Sequence, residues 1–272
     1  IYVSLEPCSH FGKTPPCCDL IIKNEIPNVV IGTEDPCSLV KGNGIKYLIE
    51  NKVNVICGIL ENKCKKLNKR FFIYQKNKRP YIILKWAKSK DGYIAPKDQE
   101  KSFWMTSNKS KKKVHQWRSE EDSILVGTKT VVKDNPELTV REISGKNPVR
   151  IVIDRDLSLD LKRKIFNQQS ETIIFNDKIN LTTKNLIYVK SDFKNLVEDI
   201  LNKLYNLKII SLIVEGGKYT IDKFISSNNW DEARVFTSEK TLLTGIMSPT
   251  IKCNPSKTKN IDSDKLDIYF ND

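Results

Sequence analysis

The sequence predicts an α/β fold in two consecutive units, and three observations carry that prediction. Short apolar strand-like runs alternate with amphipathic helical stretches along most of the chain, the pattern of strand–helix units wound around parallel sheets. The alternation resets once, at Asn77-Lys78-Arg79-Pro80, where Pro80 cannot continue a helix and forces the preceding residue into extended geometry. The chain has 272 residues, 39% of them hydrophobic and 29% charged, which is enough apolar material for packed cores. At about 100–200 residues per domain that length fits two domains. The boundary is placed near residue 78, giving units 1–78 and 79–272.

In the first unit, Ile1-Tyr2-Val3-Ser4-Leu5-Glu6 reads as a strand and Pro7 to Pro16 as a loop. A short helix is expected over 17–24, with Asp19 in its first turn. Asn28-Val29-Val30-Ile31-Gly32 is a buried-type strand ended by Thr33-Glu34-Asp35-Pro36. Helical spacing runs from Gly44 to Lys52, and a strand from Val53 to Cys57. From Glu61 to Gln75 the spacing predicts one amphipathic helix with Leu67, Phe71 and Tyr74 on a single face. In the second unit, Tyr81-Ile82-Ile83-Leu84-Lys85-Trp86-Ala87 opens the strands. Further strands follow at Ser123–Val126, Val149–Ile153, Thr172–Phe175, Leu186–Val189, Ile209–Val214 and Asp231–Thr237. Helices are expected at 107–119, 191–206 and 217–227, around one mostly parallel sheet.

Charge and cysteine content narrow the function classes. Forty-six Lys and Arg against 33 Asp and Glu give a net charge of +13, which invites a nucleic-acid reading. The lysines, however, are spread along the whole chain among Asn, Ile and Asp, as solvated faces are. The densest run, Lys109-Ser110-Lys111-Lys112-Lys113, opens an expected helix and can attract an anionic small substrate. No nucleic-acid partner is expected. No run of about 18 apolar residues is present, so no membrane span is expected. Seven cysteines at uneven spacing, with no secretory signal, read as reduced thiols of a cytoplasmic protein. The chain opens on Ile1 inside a strand pattern, and the expectation from this is that a preceding segment is missing.

Glu6-Pro7-Cys8-Ser9-His10 ends a strand, and Thr14-Pro15-Pro16-Cys17-Cys18-Asp19 opens a helix. Two thiols so placed can bind Zn²⁺, and a helix N-terminus at Cys17 favours its thiolate. A Pro-Cys at a strand end with a second Cys at the next helix start is the arrangement of zinc deaminases. The eight-residue gap between Cys8 and Cys17 disfavours the Cys-x-x-Cys families. The whole segment from Leu5 to Asp19 closely resembles the bifunctional deaminase/reductase family of riboflavin biosynthesis. The resemblance implies Cys8 and Cys17 as zinc ligands, excludes Cys18, and leaves His10 in the motif loop off the metal. It also implies a third ligand (His) and a proton-shuttling Glu upstream of the Glu-Pro-Cys strand, and no such residues precede Ile1. The other His, His115, lies far downstream. The first unit is accordingly expected to be a truncated cytidine-deaminase-like α/β/α remnant with an incomplete zinc site.

The rest of the chain resembles the same family over about 80–240. Lys85-Trp86-Ala87-Lys88-Ser89-Lys90-Asp91-Gly92 and Ser102-Phe103-Trp104-Met105-Thr106-Ser107 carry part of the match. Gly127-Thr128-Lys129-Thr130-Val131, Asp134-Asn135-Pro136, Leu138-Thr139-Val140-Arg141 and Val214-Glu215-Gly216-Gly217 complete it, in the right order. The resemblance implies a dihydrofolate-reductase-like α/β domain that uses NADPH. Its substrate would be a phosphorylated aminopyrimidine whose ribosyl group is reduced at C1′ to a ribityl chain. Implied cofactor positions are Lys88, Trp104, Thr130, Asp134 and residues 217–223 (Gly217, Lys218, Tyr219, Thr220, Ile221, Asp222, Lys223). Arg155, after Ile153-Asp154, replaces a family Ser and could face the 2′-phosphate; Lys88 replaces a smaller residue. Implied substrate positions are Ser102, Arg118, Leu138, Arg141 and Glu215, the two arginines suiting a phosphate by their bidentate geometry. No His or Tyr in these motifs presents itself as proton donor, and Lys85 and Glu215 are the nearby candidates.

On residues alone, a Gly-Gly turn is also an ordinary tight connection, a lone Trp before a helix is also core, and Asp134 before Asn135-Pro136 is also a turn former. A nucleic-acid-acting zinc deaminase and a non-catalytic remnant are the alternatives. The long cysteine gap opposes the first, and Arg118, Arg141 and Asp134 oppose the second. The resemblance also implies a homodimer.

Overall fold

The computed structural model describes residues 1–12, 14–37, 40–97 and 103–271. They form two compact units, Ile1–Arg79 and Pro80–Asp272.

The first unit runs β1 (Tyr2–Val3), α1 (Cys17–Lys23), β2 (Asn28–Ile31), α2 (Asn43–Glu50), β3 (Asn54–Cys57), α3 (Glu61–Leu67) and α4 (Lys69–Asn77). Its three strands are parallel in the order β1-β2-β3. Cys18, Ile21, Val29, Ile31, Leu48 and Val53 form the core between sheet and helices. The first strand is shorter than expected because Glu6 turns inward. Its buried carboxylate accepts the N–H groups of Asp35 (3.1 Å), Gly42 (3.0 Å), Gly44 (3.0 Å) and Ile45 (3.2 Å). A carboxylate from the loop after β1 thus satisfies the Gly42, Gly44 and Ile45 amides at the start of α2. The single helix expected over 61–75 is two helices. Asn68 leaves helical geometry, and its side-chain amide donates to Ser4 Oγ (3.4 Å) and to the Cys64 carbonyl (2.9 Å). That local bonding competes with the helix ladder. Leu67 consequently faces solvent, 72% exposed, rather than joining a stripe with Phe71 and Tyr74.

The second unit opens with β4 (Tyr81–Lys88), β5 (Tyr93–Ala95), α5 (Asn108–Glu120), β6 (Ser123–Gly127), α6 (Thr128–Asp134) and β7 (Val149–Ile153). After a 3₁₀ turn (Lys164–Phe166) come β8 (Thr172–Asn176), β9 (Leu181–Thr182), β10 (Leu186–Lys190), α7 (Leu196–Asn206), β11 (Ser211–Val214) and α8 (Lys218–Ser226). The unit closes with β12 (Glu232–Thr237), β13 (Ile246–Met247), β14 (Lys257–Ile261) and β15 (Asp264–Phe270). Ten strands make one sheet in the order β14-β15-β12-β4-β11-β6-β7-β8-β10-β9. From β12 to β10 all pairings are parallel, and both edges are antiparallel. The central strands are buried on both faces, so they read as continuous apolar runs rather than alternations. α7 and α8 pack on this sheet through Leu196, Ile200, Leu204, Ile221 and Phe224. α5 is capped by Ser107, whose Oγ accepts the Ser110 N–H (3.3 Å). No helix of the described residues is long and apolar enough to cross a membrane.

Candidate active site

Parallel strands direct their C-terminal ends, and the loops that follow, to one rim of the sheet, where ligands of such folds are held. Here that rim bounds a cavity of about 1200 Å³ lined by Lys85–Ala87 of β4, Gly127 at the end of β6, Ile153 of β7 and Glu215–Gly217 after β11. Two glycines make room for Thr220 in the first turn of α8, Gly127 at the end of β6 and Gly216 in the turn after β11. A Cβ on Gly127 would lie 2.8 Å from Thr220 Oγ1, and one on Gly216 would lie 2.6 Å from Thr220 Cβ. The helix N-terminus at α8 therefore opens directly on the cavity, with Gly217 to Thr220 in its wall. The Gly217 N–H is not spare, because it donates to Thr130 Oγ1 at 3.0 Å. Thr130 thus ties α6 to the start of α8.

At the strand ends sits a buried charge cluster. Arg118 Nη2 donates to Glu215 Oε2 at 2.7 Å, and Lys85 Nζ stands 4.0 Å from Glu215 Oε1. Burial disfavours the charged carboxylate of Glu215, but the Arg118 and Lys85 cations outweigh it and hold its pKa below the usual value. Burial lowers the Lys85 pKa, opposed by Glu215 and reinforced by Arg118. Glu215 Oε1 and Arg118 Nε are buried without a hydrogen-bond partner, so the cluster has unused polar capacity.

Of the cofactor positions implied by sequence, Trp104, Thr130, Asp134, Gly217, Lys218, Tyr219, Thr220, Asp222 and Lys223 line the cavity. Ile221 does not: the helix turns it into the sheet core, fully buried. Lys88 is not in the wall either; its carbonyl accepts the Ser238 N–H. Arg155 is drawn away from the cavity by an ion pair to Asp177 (3.0 Å) and by stacking on Phe193 (5.5 Å). Two cations that the sequence reading passed over, Lys129 and Lys133, stand in the wall instead, one helical turn apart on α6. Their signal was their i, i+4 spacing directly after the Gly127 strand end.

Among the substrate positions, Glu215 lines the cavity and Arg118 lies behind it. Leu138 is buried in left-handed geometry (φ 57°), and Ser102 lies outside the described residues. The Arg141 guanidinium folds back on its own loop, onto Glu137 (3.0 Å) and Thr139 Oγ1 (2.8 Å). Sequence reading also set aside His115, which is 1% exposed on the same helix as Arg118. Its Nδ1 accepts the Arg141 N–H at 3.1 Å. Burial first, then the Arg118 and Arg141 cations, push its pKa down to about 4. An unfolded histidine titrates near 6.5, so as pH falls the unfolded state takes up the proton first. The His115 contribution to stability is complete above about pH 6.5 and is lost between about 6.5 and 4, up to about 3 kcal/mol in all. Unfolding free energies across that window should fall more steeply for the wild type than for His115→Asn; equal slopes would remove His115 as the source.

In the first unit, the Cys17 N–H points at Cys8 Sγ (3.4 Å), so the two implied ligands are neighbours. Burial and the Cys8 sulfur raise the Cys17 pKa, against the helix-terminus expectation, since α1 brings a second sulfur to the same place. Burial pushes the Cys18 thiol up to about 12, as suits a core residue. All seven cysteines are free. Among the described residues no three His, Cys, Asp or Glu side chains converge as metal ligands. Two donors fall short of the three a catalytic zinc takes, so the residues described here do not fit a catalytic zinc.

The family described as RibD C-terminal domain matches residues 80–246, the span that contains the cavity and charge cluster. The riboflavin biosynthesis protein RibD of Aquifex aeolicus is 37% identical over 287 aligned residues, covering 99% of this chain and 80% of that protein. A crystal structure from Thermotoga maritima is described as a diaminohydroxyphosphoribosylaminopyrimidine deaminase/5-amino-6-(5-phosphoribosylamino)uracil reductase. It superposes with a TM-score of 0.84 at 37% identity, covering 97% of this chain and 77% of that one. Acinetobacter baumannii RibD superposes with a TM-score of 0.85 at 25% identity, covering 98% and 79%. With its C-terminal domain matched and its sequence aligned almost from end to end, the chain belongs to the RibD family.

Proposed function

We propose that the second unit is the reductase of riboflavin biosynthesis, converting the ribosyl group of 5-amino-6-(5-phosphoribosylamino)uracil to ribityl with NADPH. The observation that carries this reading is the single cavity wall shared by the α8 N-terminus and by Lys85 and Glu215, with Arg118 bound to Glu215 behind it. The residues suit a phosphorylated dinucleotide. Gly216 leaves no room for a side chain, the first turn of α8 presents amide dipoles, and Lys129, Lys133, Lys218 and Lys223 add positive charge. Ile153, Leu196, Val197 and Ile200 supply an apolar wall. When bound, NADPH supplies the hydride.

The chain's own residues then bind and orient. Arg118 fixes the Glu215 carboxylate, whose second oxygen faces Lys85 at 4.0 Å without a hydrogen bond and can take a substrate hydroxyl. Lys85 is the group we assign to proton delivery: burial eases release of its proton, and Glu215 keeps it charged until then. Arg141, exposed beside the same helix, is assigned to the substrate phosphate by bidentate contact. Arg141→Ala should raise KM for the phosphorylated substrate about 10–100-fold, or about 1.4–2.8 kcal/mol, with KM for NADPH unchanged. Parallel rises in both constants would reject that role. The reductase reading itself is tested by NADPH oxidation on addition of the deaminated substrate, and no consumption at saturating substrate would reject it.

The first unit we read as part of a zinc deaminase domain, with Cys8 and Cys17 as two of its ligands. No deamination step is derived from it.

A further inference from the structure

We propose that His115 is a positioning residue for the phosphate end of the substrate, holding the Arg141 loop to the helix that carries Arg118; this rests on the reductase reading above. Histidine 115 and Arg118 are three residues apart on α5, so they share a helix face. Arg118 is fixed from the cavity side by Glu215 at 2.7 Å. His115 is fixed from the loop side, where its Nδ1 accepts the Arg141 backbone N–H at 3.1 Å. The imidazole is buried to 1% exposure, so this hydrogen bond is shielded from competing water. Accepting at Nδ1 makes His115 the neutral tautomer with its proton on Nε2.

The loop needs such a tie because its backbone is not held by strand pairing. Asn135 and Leu138 are in left-handed geometry (φ 42° and 57°). Val140 N–H is satisfied by the Asn147 side chain at 2.8 Å. Gly145 lies so close to α5 that a Cβ there would stand 2.6 Å from Ser119 Cβ, one turn beyond His115. Lys111 and Glu142 form a second link between helix and loop, but both are about 30% exposed, where an ion pair contributes little. The buried imidazole is the directional, shielded link. Arg118, Arg141, Glu142 and Glu215 are the charges that act on it, so it sits among the groups assigned to substrate. With the amide of Arg141 fixed and its guanidinium already leaning on Glu137 and Thr139, the side chain has few rotamers to lose on meeting a phosphate.

Two substitutions separate this role from packing. In His115→Asn, Oδ1 stands near the place of Nδ1 and keeps an acceptor for Arg141; in His115→Gln, Oε1 stands near Nε2 and the acceptor is lost. Steady-state kinetics with 5-amino-6-(5-phosphoribosylamino)uracil and NADPH should give, for His115→Gln, a substrate KM raised about tenfold or more. Its kcat and its KM for NADPH should stay within about threefold of wild type, and His115→Asn should return the substrate KM to within about threefold. An unchanged substrate KM in a folded His115→Gln, equal losses in both variants, or parallel rises in both KM values would overturn the inference alone. Circular dichroism and melting curves of both variants exclude misfolding as the cause. A wild-type chain that oxidises no NADPH would overturn the reductase reading, and the inference with it.

Discussion

Glu215→Gln is expected to lower NADPH-dependent turnover by about 10²–10³-fold, the largest catalytic effect of any single substitution in this site. Among the described residues, the carboxylate is the group that compensates both Arg118, at 2.7 Å, and Lys85, at 4.0 Å. The three side chains are only 9–15% exposed, so water cannot replace the lost charge. Breaking a buried pair by removing one partner costs about 3–5 kcal/mol. A loss of about 3–4 kcal/mol felt in the transition state corresponds to that rate factor. The substitution also removes the negative charge that raises the Lys85 pKa against burial. If Lys85 must be protonated to act, the alkaline limb of the activity profile should move to lower pH. Rate, melting temperature and pH profile measured together distinguish a damaged site from a damaged fold. A Glu215→Gln enzyme within tenfold of wild type would reject the assignment of this cluster to the chemistry.

The largest expected effect on stability is from Phe224→Ala, about 3–5 kcal/mol. Phe224 is 1% exposed and lies on α8, packed into the core cluster with Leu212, Val214, Ile221 and Trp230. It also reaches the cavity wall, so it couples α8, which borders the cavity, to the sheet beneath. Truncation leaves a void that the central strands cannot fill, because neighbouring side chains are already close-packed. Loosening α8 should weaken NADPH binding as well as lower stability. Denaturant unfolding reads the first effect and cofactor titration the second. A stability loss below about 1 kcal/mol would mean that α8 is not anchored through this ring.

What was legible in the sequence follows from what buried strands and motif loops look like. The central strands are continuous apolar runs, and Tyr81–Ala87, Ser123–Val126 and Val149–Ile153 lie within a residue of their observed limits. The strand–Gly–helix junctions at Gly127 and Gly216-Gly217 were readable as glycines at strand ends, and at Gly127 and Gly216 a Cβ would crowd the Thr220 side chain. The C-terminal hairpin was not. β14 is solvated nearly throughout, so Lys257-Thr258-Lys259-Asn260 has no apolar alternation to betray it. The available signal was in its partner, where Leu266, Ile268 and Phe270 alternate after a tight turn with Asp262 in left-handed geometry. The contacts of Arg155 were not legible for another reason: Asp177 and Phe193 come from parts of the chain that meet it only in three dimensions. The contact of His115 was not legible because it is made to a backbone amide 26 residues away, and no side-chain pattern encodes that.

The sheet order has a consequence for how the chain comes to be folded. β4 is the first long strand made in the second unit, yet its neighbours are β11 and β12, near the end of the chain. The bond from Ile82 N–H to Asp231 spans 149 residues. At synthesis rates of about 5–20 residues per second, β4 waits on the order of ten seconds for those partners. During that interval Tyr81-Ile82-Ile83-Leu84 lacks both of its strand partners, and unpaired apolar edges are prone to association with other nascent chains. The first unit makes no such demand, since its three strands pair within residues 2–57. Assembly is therefore expected to be staggered, with the small unit formed early and the nucleotide-sized cavity arising only when the last third of the polypeptide has been delivered.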